Sequence, residues 1–471
     1  MEHNPLRRFR LRHHCCRSPH RLLHHHLLRH CKLSKLSNLK QYRLNKNMKW
    51  KIILFSVFGL IAITLLLAYL QIIPGIFRKD IEQISLTVVG PEDNRAMYDV
   101  IDLYQAEHPN VKITYLQKNP DNYEQELLNL LASGEKVDAM YFKSSWLSKH
   151  FNKIIPAREE EMTLTRFENI FPTVVRQDFA PDNYVFGLPL YLDTLGVIYN
   201  KNLFDAASVA TRPKTWVDFQ DAILKVRKLG KKNMIEVAGA AIGGNDTNTL
   251  RGPEVLQTLM MQSGAVMVDR VGGGVTFDRE GLPGLNFYLS FTDPKNTYYT
   301  WNSKELDAPT LFSQGKLGML FGYFEDYRTL ARAFPNIEIG SFAMPQPFNT
   351  EKPLTLADYY GLAVSAASKN QAEAWKFIVF ATTNSSAIQS YLNATGHIPA
   401  LREYLSLAVN NPEMSEFASQ ALIARSWIRP DDSVVRSAFN RLIQEAGSGR
   451  IREDQALEQA ASTISSSFRY Q

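Results

Sequence analysis

Residues 185–219 read VFGLPLYLDTLGVIYNKNLFDAASVATRPKTWVDF. Gly187 and Pro189 punctuate an apolar run, the pattern of a buried strand with a sharp change of direction. Residues 195–199 form a second apolar run, ended by Asn200, Lys201 and Asn202. Pro213 and Thr215 then set up a helix at Trp216, with Thr215 as its N-cap. By pattern alone the stretch is strand, turn, strand, loop and helix start, a crossing between two sheets.

The chain around it has 471 residues, 45% of them hydrophobic, enough for one large core or two ordinary ones. Its net charge of +6 is unevenly spread. Residues 1–47 hold 12 Lys/Arg and one acid, so the remaining 424 residues carry −5. All three cysteines (Cys15, Cys16, Cys31) and eight of the 11 histidines also lie in 1–47. Three readings of that extension stand side by side. A zinc site has the ligand types, but Cys15 and Cys16 are adjacent and no C-x-x-C…H-x-x-x-H spacing follows. A basic nucleic-acid arm rests on charge alone. The third is an upstream extension, disordered or untranslated, ahead of a start at Met48. It is favoured because MKWKIILFSVFGLIAITLLLAYL from Met48 has a short basic end and a long apolar run, as an export signal does.

Residues 52–70 carry no charge and are long enough to span a bilayer. The run exceeds the core of a cleaved signal, and no A-x-A site follows it. Lys49 and Lys51 before the run place the N-terminus in the cytoplasm and the body outside. The expectation is a single-pass signal anchor over 48–79, with a cleaved signal as the alternative.

From residue 84 the body alternates. Strand 84–89, helix 95–107, strand 111–116, helix 123–132 and strand 137–142 predict a mainly parallel sheet covered by helices. In open sheets of this kind, ligands lie beyond the carboxyl ends of strands. That rule selects Asp93 and Asn94 after the first strand, and Phe142, Ser144 and Trp146 after the third. Gly272–Gly274 fits neither phosphate-cradle spacing, which removes a nucleotide site. The body has no cysteine and only His108, His150 and His397; it lacks G-x-S-x-G and H-E-x-x-H. A glycoside hydrolase would need two facing carboxylates; Glu92, Asp93, Asp193, Asp246 and Glu325 permit that without pointing to it.

The wording of several segments then narrows the class. "GLP…D…GVIYNKNLF…RPKTWVDF" resembles the YGVP…YNKDLF…PPKTWDEF signature of extracellular solute-binding proteins of the sugar-binding, maltose-binding-protein-like type, the receptors of ABC importers. "YEQELLNLLASGEKVDAMYF", "LFSQGKLGMLFGYFEDY", "YYGLAVSAASKNQAEAWKFIVFAT", "TGHIPALREYL" and "GSGRIREDQALEQAASTISSSF" resemble further family segments in the family's order. Together they cover about residues 84–468. The resemblance implies an α/β, two-lobed, periplasmic-binding-protein-like type II fold, each lobe a mixed sheet flanked by helices, behind an N-terminal transmembrane helix. It places lobe 1 at 81–194 with 346–400, lobe 2 at 195–345 with 401–471, and three crossings near 193–196, 342–347 and 396–401.

It implies a carbohydrate-like ligand in the cleft, with hinge closure, no cofactor and no catalysis. To the residues above it adds Tyr191, Asp193, Asp246, Trp301, Tyr323, Phe324, Tyr360 and Trp427 as candidate ligand contacts. Asp193 reads either as a ligand contact or as a hinge cap. The implied partners are a sugar or oligosaccharide, ABC permease subunits and the membrane, but not nucleic acid. A tethered sensor for a signalling partner is the alternative role.

Overall fold

The computed structural model describes residues 34–69, 82–269, 274–302 and 307–468. The Cys/His-rich stretch 1–33, the end of the expected anchor at 70–79 and Gly272–Gly273 lie outside them. The chain divides into two compact units, 1–81 and 82–471. In the first, the helix Ser34–Tyr69 contains Met48–Leu67, which is long and apolar enough to cross a membrane.

The second unit carries the alternation that the sequence shows. In chain order its strands are β1 (Ile84–Gly90), β2 (Val111–Gln117), β3 (Ala139–Lys143), β4 (Ile154–Ile155), β5 (Leu188–Pro189), β6 (Asp193–Thr194) and β7 (Gly196–Asn200). Then come β8 (Lys228–Leu229), β9 (Ile235–Ala240), the short pair β10 (Val268–Asp269) and β11 (Gly274–Val275), β12 (Leu317–Gly322) and β13 (Ile339–Ala343). β14 (Thr355–Asp358), β15 (Tyr360–Ser365) and β16 (Ala424–Arg425) complete the order.

Two mixed sheets result. The first runs β2-β1-β3-β15-β4, with β5 added to β15. β1 is parallel to β2 and β3, while β15 returns antiparallel to β3. The second runs β13-β7-β12-β9-β8, with β7 antiparallel to both of its neighbours. The buried apolar residues form two clusters, the first centred on the first sheet but also taking Ile198, Leu320 and Ile339 from the second. Val88, Met140, Phe179 and Leu362 belong to one; Val197, Phe219, Met319 and Phe439 belong to the other. The fold is therefore two-lobed. Central strands are buried on both faces, so β7 and β12 read as continuous apolar runs rather than alternating ones.

The opening stretch behaves as its pattern dictates. Thr215 caps the helix Trp216–Val226 with a reciprocal capping box, its Oγ1 accepting from Asp218 N–H at 3.2 Å while Asp218 Oδ2 accepts from Thr215 N–H at 2.9 Å. β6 and β7 are separated only by Leu195, and the chain changes sheet there. A small third sheet, β16-β14-β6, lies at this joint, with Asp358 opposite Asp193 and Ala357 opposite Thr194.

The second passage departs from the position expected at 342–347. β13 ends at Ala343 still paired with β7, and Gln346 bridges to Thr215. Pro345 and Pro347 belong to a turn that the Gln346 side chain closes, accepting from Leu354 N–H at 3.0 Å and donating to Met344 O at 2.8 Å. The chain passes to the first sheet at Tyr359, between β14 and β15. The third passage runs beside the first, with Leu192 N–H donating to Ile398 O at 3.0 Å and Tyr191 bridging Pro399.

Close packing inside the second lobe needs a glycine at 239. A Cβ there would lie 2.9 Å from both the Cα and the carbonyl oxygen of Ile223, in the helix that covers β9. Backbone cannot swing aside as a side-chain tip can, so Gly239→Ala is expected to cost about 1–3 kcal/mol of stability through overpacking, read as a lowered midpoint in urea unfolding.

Candidate functional site

The first sheet ends in a loop from Lys143 to Trp146. Facing it is the segment 427–432, which leads into the helix Asp432–Gly447 of the second core. Between them lies a cavity of about 270 Å³. Leu147, Phe186 and Trp427 contribute apolar walls; Ser144, Gln177, Asp178 and Arg429 contribute polar ones. Ser144 is 4% exposed, and its hydroxyl has no partner within the protein; nor has Gln177 Oε1. Buried polar groups are almost always satisfied, so these two atoms mark a place suited to a hydrogen-bonding ligand.

Asp178 is held at the cavity's edge by two hydroxyls. Tyr359 Oη donates to Oδ2 at 2.6 Å, and Ser426 Oγ donates to Oδ1. Burial pushes its carboxyl up to about 7, against the pull of Ser426 and Tyr359. Trp427 is 7% exposed, and its indole N–H is spent on Gln257 Oε1 at 2.9 Å, leaving only its ring for the cavity.

Beside the cavity, four charges form a ring. Lys143 Nζ lies 3.2 Å from Asp358 Oδ2 and 3.3 Å from Asp432 Oδ2. Arg429 Nε lies 3.2 Å from Asp432 Oδ1, and its Nη2 lies 3.8 Å from Asp358 Oδ1. Burial alone would lower the Lys143 ammonium, but Asp358 and Asp432 hold it above its ordinary range. Burial would likewise raise Asp432, yet Arg429 and Lys143 hold it well below the usual carboxylate range. The ring joins the end of β3, the joint strand β14 and the start of a second-lobe helix.

The candidates drawn from the sequence fall into three groups. Ser144 and Trp427 line the cavity. Tyr191, Asp193, Tyr323 and Tyr360 gather around the joint. Tyr360 pairs with Lys143 across β15 and β3, and Tyr191 stacks on His397 with ring centroids 4.1 Å apart. His397 in turn meets Glu92 at 3.1 Å, so the loop after β1 turns Glu92 inward. Tyr323 lies 5.1 Å beneath the Arg251 guanidinium, which is itself fixed by two 2.8 Å bonds to Asp326.

Asp193 receives the first amides of the helix Phe324–Ala333, whose N-cap residue is Tyr323. Its Oδ1 accepts from Phe324 N–H at 2.9 Å and from its neighbour Thr194 N–H at 2.8 Å; its Oδ2 accepts from Glu325 N–H at 3.2 Å. Burial pushes this carboxyl up to about 7 against those amides.

The remaining candidates are engaged elsewhere. Asp93 caps the helix Asn94–Glu107, and Asn94 N–H donates to Gln117 Oε1 at 3.3 Å. Phe142 and Trp146 pack edge to face at 5.8 Å, with Trp146 stacked on Tyr123. Phe324 packs on Tyr327 and Phe417. Trp301 is fully buried, and Asp246 accepts from Arg436 at 2.6 Å and Asn440 at 3.1 Å. Sequence reasoning did not select Lys143, Asp178, Asp358, Arg429 or Asp432. For Lys143, Asp358, Arg429 and Asp432 the available signal was their position, at a strand end or at the start of a helix and the loop before it; Asp178, inside the helix Thr173–Phe179, had no such signal. Among the described residues no group of three His, Cys, Asp or Glu is placed to hold a metal.

Two mixed α/β lobes, joined by adjacent short strands with a cavity at the joint, define a two-lobed binding protein. The chain belongs to the bacterial extracellular solute-binding protein family, whose profile matches residues 90–388. A binding protein of Brucella abortus is 24% identical over 324 residues, 67% of this chain and 75% of the relative. The maltotriose-binding protein of Pyrococcus abyssi is 24% identical over 323 residues, 66% of this chain and 64% of the relative. The fold is shared with a cyclo/maltodextrin-binding protein solved with maltotetraose, at TM-score 0.67 and 18% identity over 83% of this chain and 98% of that one. It is also shared with a solute-binding protein of Thermotoga lettingae solved with α-D-tagatose, at TM-score 0.64 and 19% identity over 82% of this chain and all of that one. The family and these neighbours are binding proteins, not enzymes.

Two outcomes follow from the charges. A partly exposed network lies between the ~0–1 kcal/mol of a surface pair and the ~3–5 kcal/mol lost when one partner of a buried pair is removed. Arg429→Met, which strips one cation from two acids, should cost about 1–3 kcal/mol in thermal unfolding. Asp178 keeps its proton in the folded chain up to about pH 7, while the unfolded chain releases it near pH ~4. The native state therefore binds more protons across that window. Its contribution to stability is present at low pH, falls as pH rises from about 4 to 7, and is flat above. Asp178→Asn, whose amide and carbonyl both suit rotating hydroxyls, should flatten that slope by up to about 1.4 kcal/mol per pH unit in denaturation measured from pH 4 to 8.

Proposed function

We propose that this chain is the extracytoplasmic receptor of an ABC importer and binds a carbohydrate-like ligand between its two lobes. The observation that carries the reading is the cavity at the joint, lined by an unpartnered Ser144 hydroxyl and Gln177 carbonyl together with Trp427 and Phe186. Sugars present apolar C–H faces and a rim of hydroxyls, which match aromatic walls with a few fixed polar groups. Ser144 and Trp427 are the first contacts, with Tyr191, Tyr323 and Tyr360 on the joint side. Asp193 acts there through the helix whose first amides it holds. The maltotriose-binding relative and the neighbours solved with maltotetraose and tagatose support a sugar as the ligand class.

Closure is a hinge motion at three adjacent passages, where β6 and β14 leave few residues to absorb the change. Ligand bonds both lobes only in the closed form and so favours it. The helix segment Met48–Leu67 holds the body at the outer face of the membrane, next to the permease that reads the closed form.

Isothermal titration against a panel of mono- and oligosaccharides is the test. Binding should appear for members of the panel, and Trp427→Ala should weaken it at least tenfold. Silence across all sugars, with heat instead from peptides, polyamines or phosphate esters, would remove the carbohydrate reading.

A further inference from the structure

The rim of the cavity is not left to solvent: one side of it is clasped by the protein. Ser145 Oγ donates to Asp432 Oδ2, and Ser148 Oγ donates to the Arg429 carbonyl. Lys149 Nζ meets Asp431 Oδ2 at 2.6 Å, and Lys143 Nζ meets Asp432 at 3.3 Å. Every one of these bonds runs from the end of β3, or the loop and short helix Leu147–His150 that follow it in the first lobe, to the segment that opens the second-lobe helix Asp432–Gly447.

Both halves of the clasp are pre-set within their own lobes. Asp431 caps its helix, accepting from Ser433 N–H at 2.8 Å, and acids at a helix N-terminus are favoured by the helix dipole. Lys149 is held from behind by Glu124 at 2.8 Å, and Glu124 by His150 at 2.7 Å. Preorganised groups lose little entropy on meeting, so the clasp closes without needing a ligand to bridge it.

What stays open beneath it is small. An apolar cavity of ~150 Å³ accommodates one benzene ring, so about 270 Å³ accommodates one sugar ring with its hydroxyls, and a second ring only where the cavity opens outward. It also lies just below the ~300–1,000 Å³ usual for ligand sites.

We propose that the clasp between Ser145, Ser148 and Lys149 and the segment Arg429, Asp431 and Asp432 limits the ligand to one or two sugar rings. This rests on the carbohydrate reading and sharpens it. A longer chain running along the rim has to part Ser145 and Ser148 from Asp432 and Arg429, losing those bonds. Lys149 and Asp431 act here as positioning residues: they hold the lobes together beside the ligand rather than touching it.

The test uses the full chain and two probe sets, malto-oligosaccharides and manno-oligosaccharides of one to six rings, in titration calorimetry. Affinity is expected to peak at one or two rings and to fall at least tenfold by four. Asp431→Asn keeps a helix-capping side chain but loses the charge. It should shift the profile toward longer chains, narrowing the gap between two and four rings at least threefold, and Lys149→Met should do the same. Lys149→Arg should keep the parent profile. In the ligand-free protein, hydrogen exchange over 144–150 and 427–434 should quicken in Asp431→Asn.

A profile that is flat or rises to six rings, or one unmoved by both Asp431→Asn and Lys149→Met, overturns the length limit while leaving sugar binding intact. Unchanged exchange in those segments overturns the ligand-free clasp. No heat from either series, or from the wider panel, removes the carbohydrate reading and this limit with it.

Discussion

A single buried carboxylate, Asp193, organises the joint between the lobes. It lies in β6, immediately before the chain enters the second sheet, and its oxygens accept from the first two amides of the helix Phe324–Ala333. Taking a carboxylate out of water costs several kcal/mol unless hydrogen bonds replace its hydration. Free helix N-terminal amides carry the matching deficit. Each group thus meets the other's need, and the passage strand is fixed against a helix that begins right behind Tyr323. Asp326 extends the arrangement, accepting from Tyr323 N–H at 2.9 Å while its two oxygens take the Arg251 fork. The wall of the cleft on that side is therefore set from inside the joint.

The same economy governs the cleft itself. Lys143, Asp358, Arg429 and Asp432 would each be costly alone at their degree of burial, and the ring lets every cation face two acids. Its members come from the first sheet, the joint and the second lobe. The ring therefore records how the lobes stand relative to each other. A change in lobe angle breaks some of its pairs, so opening has an electrostatic cost that ligand bonds and closure bonds share. Two buried carboxyls raised toward neutrality, Asp178 and Asp193, lie at the two faces of this joint. The stability of the joint thus depends on pH in a range where ordinary surface acids are already ionised.

The first crossing, the β-α-β-α-β opening and the capped helix at Trp216 are all legible in the sequence, because they rest on local signals. Hydrophobic period, proline and glycine punctuation, and N-cap residues act within a few positions of one another. The family's segments, in order over 84–468, carried the two-lobed architecture as well. The second passage was harder. Pro345 and Pro347 look like an exit from the sheet, and only the bonds of the Gln346 side chain show that the chain turns back before crossing at Tyr359.

For the site, the chain's own pattern indicates which loops matter but not which side chains face the cleft. Residues 142, 144 and 146 lie at or just after the end of a strand, yet Phe142 and Trp146 pack inward while the Ser144 hydroxyl is left for the cavity. An aromatic after a strand has the same one-dimensional signature whether it stacks on a ligand or on Tyr123. What the sequence determined by itself is the fold class, the order of its elements and the loops at the joint, since these follow from propensity and periodicity along the chain. What only the tertiary structure decided is the pairing of 143 with 358 and 432, of 178 with 359 and 426, and of 193 with 324. These partners are all more than a hundred residues apart, and their burial and charge are properties of the assembled lobes.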